Sequence, residues 1–288
     1  PFNSQWLRWI GPWSLTSFIS QLDDNRIVED AILTGMRVTA TPVPGLEIGV
    51  SRSAQLCGTG RECKPRTFVD MILGKDNQGV NVAADREPGN QLAGVDLRWA
   101  SPVGDLPYAV YLEWVGEDTR QGGPEIGSWL RQLGVEFWGA APGRGWQHRT
   151  HIEVTDTMCQ EGGLGFGMEK PNCAYGHSLY KTGYRYRGRV IGHGIDSDSL
   201  SSSIGSTLID SRGNSMNFLV RHMEINRDGG YSPLSSMGQE VSELSVSYSR
   251  RFDLGIASIG LAYSHLRDNV AGAKKTSTVE WWIGFQEN

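Results

Sequence analysis

Residues 241–266 read VSELSVSYSRRFDLGIASIGLAYSHL, and this stretch carries the pattern that decides the fold. Leu244, Val246 and Tyr248 alternate with serines. A period of two, with one apolar and one polar face, is typical of a half-buried β-strand. The connection RFDLG (251–255) is short, so the stretch predicts two antiparallel strands joined by a tight turn.

The same alternation recurs in about thirteen segments along the chain, each about 9–12 residues long. We place them near 13–21, 31–41, 46–56, 91–100, 108–117, 128–139, 146–156, 180–187, 202–210, 214–225, 241–252, 254–266 and 276–286. Strands of this length exceed the usual five or six residues of soluble proteins. They match the length that a tilted strand needs to cross a bilayer.

Short and long connections alternate along the chain. TPVPG (41–45) and SRGN (211–214) are short, as is RFDLG, whereas 57–90, 157–180, 188–201 and 226–240 are long. The pattern predicts an all-β fold: an antiparallel transmembrane outer-membrane β-barrel of about 12–14 strands, with long extracellular loops and short periplasmic turns. We expect residues 1–288 to form this single barrel domain. The alternative, a soluble β-sandwich, fits poorly because the strands lack a second apolar face.

Composition restricts the partners. The 288 residues include 27 basic and 32 acidic side chains, for a formal net charge of -5. Nucleic acid is therefore not expected as a partner, since it usually needs a basic excess. No run of about 18 apolar residues occurs, which excludes a transmembrane helix but leaves a membrane-spanning barrel open.

The four cysteines favour disulfides. Cys57 and Cys63 lie in CGTGREC, and Cys159 and Cys173 flank a glycine-rich stretch. These spacings do not suit zinc, which prefers C-x2-C knuckles or interleaved histidine. We favour two local disulfides, Cys57–Cys63 and Cys159–Cys173, over free thiols, although four cysteines allow three pairings.

Charged residues of both signs alternate with the apolar face. If that face meets lipid, the charged residues point into the lumen, which predicts a salt-bridged or plugged interior and disfavours a pore selective for one sign of ion. The residues concerned are Arg37, Glu47, Asp96, Arg98, Glu113, Glu136, Glu153, Arg185, Arg187 and Arg221.

The segment GYRYRGRVIGHGIDSDS (183–199) is the strongest candidate for a binding site. Guanidinium groups can pair with the carboxylates of anionic sugars, and aromatic faces suit pyranose rings. We predict polysaccharide contacts from Arg185, Tyr186, Arg187, Arg189, His193, Asp196 and Asp198. Calcium binding by the two aspartates is an alternative, but the loop lacks the other ligands of an EF-hand.

Catalytic patterns are missing from the sequence. It contains no G-x-S-x-G elbow, H-E-x-x-H helix or P-loop. GGLGFG (162–167) follows no strand–helix unit, so it indicates a flexible loop and no phosphate site. The six histidines show no metal-ligand spacing. We therefore predict neither enzymatic activity nor a metal or cofactor.

Five segments together resemble the capsule assembly protein Wzi family. They are WIGPWSLTSFISQLDDNR (9–26), LTGMRVTATPVPGLEIGVSRSAQLCGTG (33–60), PGNQLAGVDLRW (88–99), YAVYLEWVGED (108–118) and GYRYRGRVIGHGIDSDS (183–199). The resemblance runs through nearly the whole chain in the same order. It implies an outer-membrane barrel of Gram-negative bacteria that acts as a lectin for capsular or extracellular polysaccharide.

The resemblance also implies partners and departures. The partners would be polysaccharide, the lipid bilayer and other capsule-export components, with the protein in the outer membrane. We expect the plug helices and first barrel strands of the family to be missing here, and thirteen strands is an odd number for a bacterial barrel. A passive porin or sugar channel is the alternative function, and a glycan-modifying enzyme is a third.

Overall fold

The structure is a computed structural model that describes residues 9–73, 89–101, 107–119, 126–141, 145–162, 166–173, 175–177, 179–230, 232–270 and 275–287. The strands of the first half are β1 (Trp13–Gln21), β2 (Ile32–Val43), β3 (Leu46–Leu56), β4 (Gly89–Ala100), β5 (Tyr108–Thr119), β6 (Ile126–Ala140) and β7 (Trp146–Glu161). Three two-residue strands follow: β8 (Glu169–Lys170), β9 (Arg185–Tyr186) and β10 (Arg189–Val190). The last five are β11 (Leu200–Asp210), β12 (Ser215–Ile225), β13 (Gln239–Phe252), β14 (Gly255–Asp268) and β15 (Lys275–Glu287), and one helix, α1, spans Pro65–Leu73.

Twelve long strands form one antiparallel sheet in sequence order, from β1 to β7 and then from β11 to β15. Strand β8 pairs with the end of β7, and β9 with β10 make a separate small hairpin. β1 and β15 are the edge strands, so the sheet is not closed within the described residues. The all-β antiparallel prediction is confirmed.

One predicted strand is wrong. The segment 180–187 was expected to be a barrel strand, but only Arg185–Tyr186 is extended there. Gly183 and Arg187 both have positive φ, 66° and 49°, which breaks the extended backbone on either side. Arg185 and Arg187 therefore do not lie on a barrel wall.

The connections sort onto two rims because consecutive strands run in opposite directions. One rim, the short-turn rim, carries the turns at 44–45, 211–214 and 253–254. The other, the long-loop rim, carries the connections that leave β3, β7 and β12. The predicted alternation of short and long connections is confirmed for the described elements.

The outer face of the sheet is a continuous apolar surface. Cross-strand pairing joins Ile152 to Ile204, Ile204 to Val220 and Val220 to Leu244. The row continues through Tyr263 to Val279 on the last strand. Every one of these side chains is exposed. An apolar band of this kind is what the lipid-facing side of a barrel requires.

The inner face carries a network of charges. Arg37 Nη2 lies 2.6 Å from Asp96 Oδ1, and Arg98 Nη2 lies 2.7 Å from Glu136 Oε2. Glu153 accepts hydrogen bonds from the hydroxyl of Tyr111 and the amide of Gln132, at 2.8 Å and 2.7 Å. For these residues the predicted salt-bridged interior is confirmed.

The apolar core lies inside the sheet at the long-loop rim. Leu33, Leu92 and Leu130 project from β2, β4 and β6 into one buried cluster. Tyr175, Tyr180 and Tyr184 from the segment 171–199 pack against them. The segment 171–199, which we call the inserted segment, therefore fills this end of the lumen, and its burial supplies the core that the alternating strands lack.

Both local disulfides that the sequence favours are present, Cys57–Cys63 and Cys159–Cys173. The first lies in the connection after β3, and the second joins the end of β7 to the connection that follows it, both at the long-loop rim. Among the described residues, no helix is both long enough and apolar enough to cross a membrane.

Candidate functional site

The inserted segment ends in a tight hairpin, β9–β10, whose two strands pair Tyr186 with Arg189. The turn residues Arg187 and Gly188 have φ of 49° and 76°. Positive φ at both central positions defines a type I′ turn, which favours Asn-Gly because most side chains are strained there. The chain places an arginine at this position, and holding it there costs free energy on the order of 1–3 kcal/mol.

Three of the predicted contact residues are exposed at this hairpin. Tyr186 is 43% exposed, and Arg187 and Arg189 are exposed as well. The guanidinium carbon of Arg187 lies 5.3 Å from the centre of the Tyr186 ring. The hairpin, which we call the Arg-Tyr tip, thus presents two cations and an aromatic ring to solvent at the long-loop rim.

Arg185 lies on the opposite side of the same hairpin and is only 4% exposed. Its Nη2 donates to Asp196 Oδ1 at 2.6 Å, and its Nη1 donates to the carbonyl oxygens of Tyr175 and Thr182 at 3.2 Å. Asp196 also accepts from the backbone N–H of Ser197 at 2.7 Å. Through these bonds, the Arg185 guanidinium holds the hairpin against the rest of the inserted segment.

Asp198 is buried as well. Its two carboxylate oxygens each accept a hydrogen bond from the backbone N–H of Asn172 at 3.1 Å. Burial and the nearby Asp228 carboxylate raise the pKa of Asp198 to about 6. Asp198 thus joins the two ends of the inserted segment.

His193 is half-buried and faces the lumen. Its backbone N–H donates to the Tyr175 hydroxyl at 3.1 Å, and its Nδ1 accepts from the N–H of Ile195 at 3.4 Å. Burial lowers the pKa of His193, which favours the neutral imidazole. The seven predicted contact residues therefore fall into three groups: the exposed Tyr186, Arg187 and Arg189, the buried Arg185, Asp196 and Asp198, and the half-buried His193. That they contact sugar stays a prediction.

The base of the hairpin is held by two residues that we did not identify from the sequence, Arg26 in the connection between β1 and β2 and Gln55 on β3. Arg26 donates to the carbonyl oxygens of Arg185 and Gly183 at 3.2 Å and 3.1 Å. Gln55 Nε2 donates to the same Gly183 oxygen at 2.6 Å. A side chain at Gly183 would collide with the Tyr175 carbonyl, so glycine is required. A polar residue at a strand end, such as Gln55, could have indicated a buried contact from the sequence. Arg26 gave no such signal, because it contacts Gly183 across 157 residues.

A cavity of about 490 Å³ lies under the inserted segment. His193, Tyr175 and Ile191 line it from above, and strand residues Arg37 and Arg131 line it from the walls. A second cavity of about 600 Å³, lined by Arg98, Glu136 and Arg149, shares Arg37 and Glu113 with the first. Volumes in this range are typical of small-ligand pockets.

Within the described ranges, no group of three or more histidine, cysteine, aspartate or glutamate side chains is arranged to hold a metal ion. Asp196 is engaged by Arg185 and Ser197, and Asp198 by Asn172. These carboxylates therefore act as hydrogen-bond acceptors within the protein.

The fold resembles a solved outer-membrane protein. Wzi of Escherichia coli, described as an outer-membrane protein involved in group 1 capsule assembly and as a carbohydrate-binding β-barrel, superposes with a TM-score of 0.78 at 22% sequence identity. The alignment covers 98% of this chain and 57% of the solved chain.

Two sequence comparisons agree with the fold. An uncharacterised 55.8 kDa protein in the cps region of Klebsiella pneumoniae is 39% identical over 136 residues, which are 46% of this chain and 26% of that relative. The chain thus matches about a quarter of this relative and little more than half of the solved one. The family profile described as capsule assembly protein Wzi matches residues 1–279. With nearly its full length matched, the chain belongs to the Wzi family of capsule assembly proteins.

Proposed function

We propose that this chain is part of an outer-membrane β-barrel that attaches or organises capsular or extracellular polysaccharide at the cell surface, with residues 1–288 as one barrel domain. Family membership supports the link to capsule assembly, and carbohydrate binding is the described property of the E. coli relative. The apolar outer face supports a position in the lipid bilayer. Other capsule-export components are further partners under this proposal.

The Arg-Tyr tip is the observation that carries the proposal. Its cations, Arg187 and Arg189, stand exposed on a hairpin whose base is fixed by buried bonds. Guanidinium groups pair with carboxylates in a planar, two-bonded geometry, which suits uronic acids of an acidic polysaccharide. A rigid base lowers the entropy lost when the tip binds.

The proposed protein is a binding protein and no enzyme. Its chemistry at the tip consists of ion pairs and ring contacts, which hold a polymer without changing it. A passive channel, the second candidate, finds no support in the comparisons. In addition, the inserted segment packs its tyrosines into the long-loop end of the lumen.

The test uses the full-length protein in detergent and purified acidic capsular polysaccharide. We expect the double substitution Arg187→Ala and Arg189→Ala to weaken binding by about tenfold or more, because two charge-assisted contacts are lost. Arg212→Ala is the matched control, since Arg212 is an exposed arginine in a turn of the opposite rim. Equal binding by the double variant and the wild type would contradict a role of the Arg-Tyr tip in polysaccharide binding.

A further inference from the structure

A second exposed aromatic residue lies at the long-loop rim, in the same connection between β7 and β11 as the Arg-Tyr tip but about 20 residues before it. Phe166 is 73% exposed, although a phenylalanine gains free energy from burial. The guanidinium carbon of Arg131, from strand β6, lies 4.9 Å from the centre of the Phe166 ring. One face of the ring is thus backed by a cation, and most of the remaining ring surface is open to solvent.

The backing guanidinium is itself fixed. Arg131 Nη2 donates to Asp156 Oδ2 at 3.2 Å, and Arg227 Nη2 donates to Asp156 Oδ1 at 2.7 Å. The register between β6 and β7 is irregular here: one residue separates Trp129 from Arg131, whereas three separate their partners Gln160 and Asp156, so the extra residues lie on β7. A bulge re-aims the side chains beside it, and Asp156, which holds the Arg131 guanidinium, lies at the edge of this bulge.

The loop that carries Phe166 is closed at its base. β8 pairs Lys170 with Cys159 and Glu169 with Gln160, and the N–H of Glu161 donates to the carbonyl of Met168 at 2.8 Å. A side chain at position 167 would collide with the Glu161 carbonyl, so Gly167 is required beside the ring. Together with the Cys159–Cys173 disulfide, these contacts fix residues 167–170, which follow Phe166, against the end of β7.

The ion-pair network that holds Arg131 is balanced in charge. Arg131 and Arg227 supply two positive charges, and Asp156 and Glu169, which lies 3.7 Å from Arg227, supply two negative ones. A balanced network adds little net charge beside the ring, so the exposed ring face suits a ligand with an apolar C–H face. A pyranose ring offers such a face, and aromatic surfaces are suited to stack against it.

We propose that Phe166, backed by Arg131, is a stacking platform for one pyranose ring of the bound polysaccharide, distinct from the charged Arg-Tyr tip. This inference rests on the proposed function, because it assigns a second contact point to the same polymer. Arg131 also lines the cavity under the inserted segment, so the platform is continuous with the wall of that cavity.

The experiment measures binding of the full-length protein to purified acidic capsular polysaccharide at low and at high salt. We expect Phe166→Ala to weaken binding by about tenfold and by the same factor at both salt concentrations, because stacking is not screened. Phe166→Tyr should keep wild-type affinity, whereas Phe166→Leu should lose it, since leucine has no aromatic face. The effect of the tip substitutions should, in contrast, shrink at high salt.

Phe252→Ala is the matched control. Phe252 is also exposed, at 45%, and also lies under a guanidinium, with Arg250 at 5.1 Å, but it sits on the short-turn rim. We expect no change in binding there. If Phe166→Ala leaves binding unchanged, or if Phe252→Ala weakens binding by the same factor, the stacking platform is contradicted. The proposed function is not affected by either result. If the wild-type protein does not bind the polymer at all, the proposed function and the platform both fail.

Discussion

Arg185 and Asp196 form an ion pair that is closed off from solvent, with Arg185 Nη2 2.6 Å from Asp196 Oδ1. The pair connects the hairpin β9–β10, which carries the exposed Arg187 and Arg189, to the residues just before β11. Two arginines two residues apart, Arg185 and Arg187, therefore have opposite environments. The inner one positions the hairpin, and the outer one is free to meet a ligand.

Replacing the inner arginine should cost stability. We expect Arg185→Ala to lower the free energy of unfolding by about 3–5 kcal/mol, because it leaves the Asp196 carboxylate buried without its partner. Arg187→Ala, the matched control, should change stability by less than about 0.5 kcal/mol. Denaturant unfolding of the full-length protein measures both, and equal stability of the two variants would contradict the division of roles.

The hydroxyl of Tyr184 should also matter for stability. It lies 3.0 Å from the carbonyl oxygens of Ser53 and Asn90, on β3 and β4. Tyr184→Phe removes this donor inside the core, with an expected loss of about 1 kcal/mol. Tyr186→Phe at the exposed tip should leave the same unfolding midpoint unchanged, and a larger effect there would be inconsistent with the structure.

The two disulfides should contribute unequally. Cys159 and Cys173 are 14 residues apart, whereas Cys57 and Cys63 are 6 apart. The entropy of loop closure predicts about 3 kcal/mol for the longer loop and about 2 kcal/mol for the shorter one. Paired Cys→Ser variants, compared by denaturant unfolding, test the order. Limited proteolysis should also cut the inserted segment faster when Cys159 and Cys173 are both replaced.

Low pH should stabilise the folded inserted segment through Asp198. With the pKa of Asp198 raised to about 6, the folded protein holds a proton that the unfolded chain releases. The contribution of this group to the free energy of unfolding is therefore full below about pH 4 and is lost as the pH rises through about 6. Asp198→Asn should remove the dependence, so its stability relative to wild type should rise between about pH 4 and about pH 7. Parallel pH profiles for the two proteins would count against this assignment.

The strands could be predicted because their pattern is local. Leu244, Val246 and Tyr248 alternate with serines, and the predicted strands 241–252 and 254–266 agree with Gln239–Phe252 and Gly255–Asp268. The alternation persists because one face is apolar and the other meets a charged lumen. Each strand of the described sheet repeats this situation.

The inserted segment could not be predicted because its pattern is not local. Tyr184 and Arg185 alternate like a strand, yet both are buried, and each contacts a distant residue: Tyr184 bonds Asn90, and Arg185 bonds Arg26. The Arg-Tyr tip could be predicted from composition, because arginines next to tyrosines indicate a candidate sugar-binding surface. Phe166 could not be, because a single aromatic in GGLGFG gives no sign that Arg131 will lie behind it.

The most direct test of the central claim is the retention of polysaccharide on cells that carry or lack the full-length protein. We expect deletion to lower the cell-attached polymer while total polymer, attached plus secreted, stays unchanged. Restoring the wild-type protein should restore attachment, and a variant with Arg187→Ala, Arg189→Ala and Phe166→Ala should not. Unchanged attachment after deletion, accompanied by altered uptake of small solutes, would contradict the account and favour a channel.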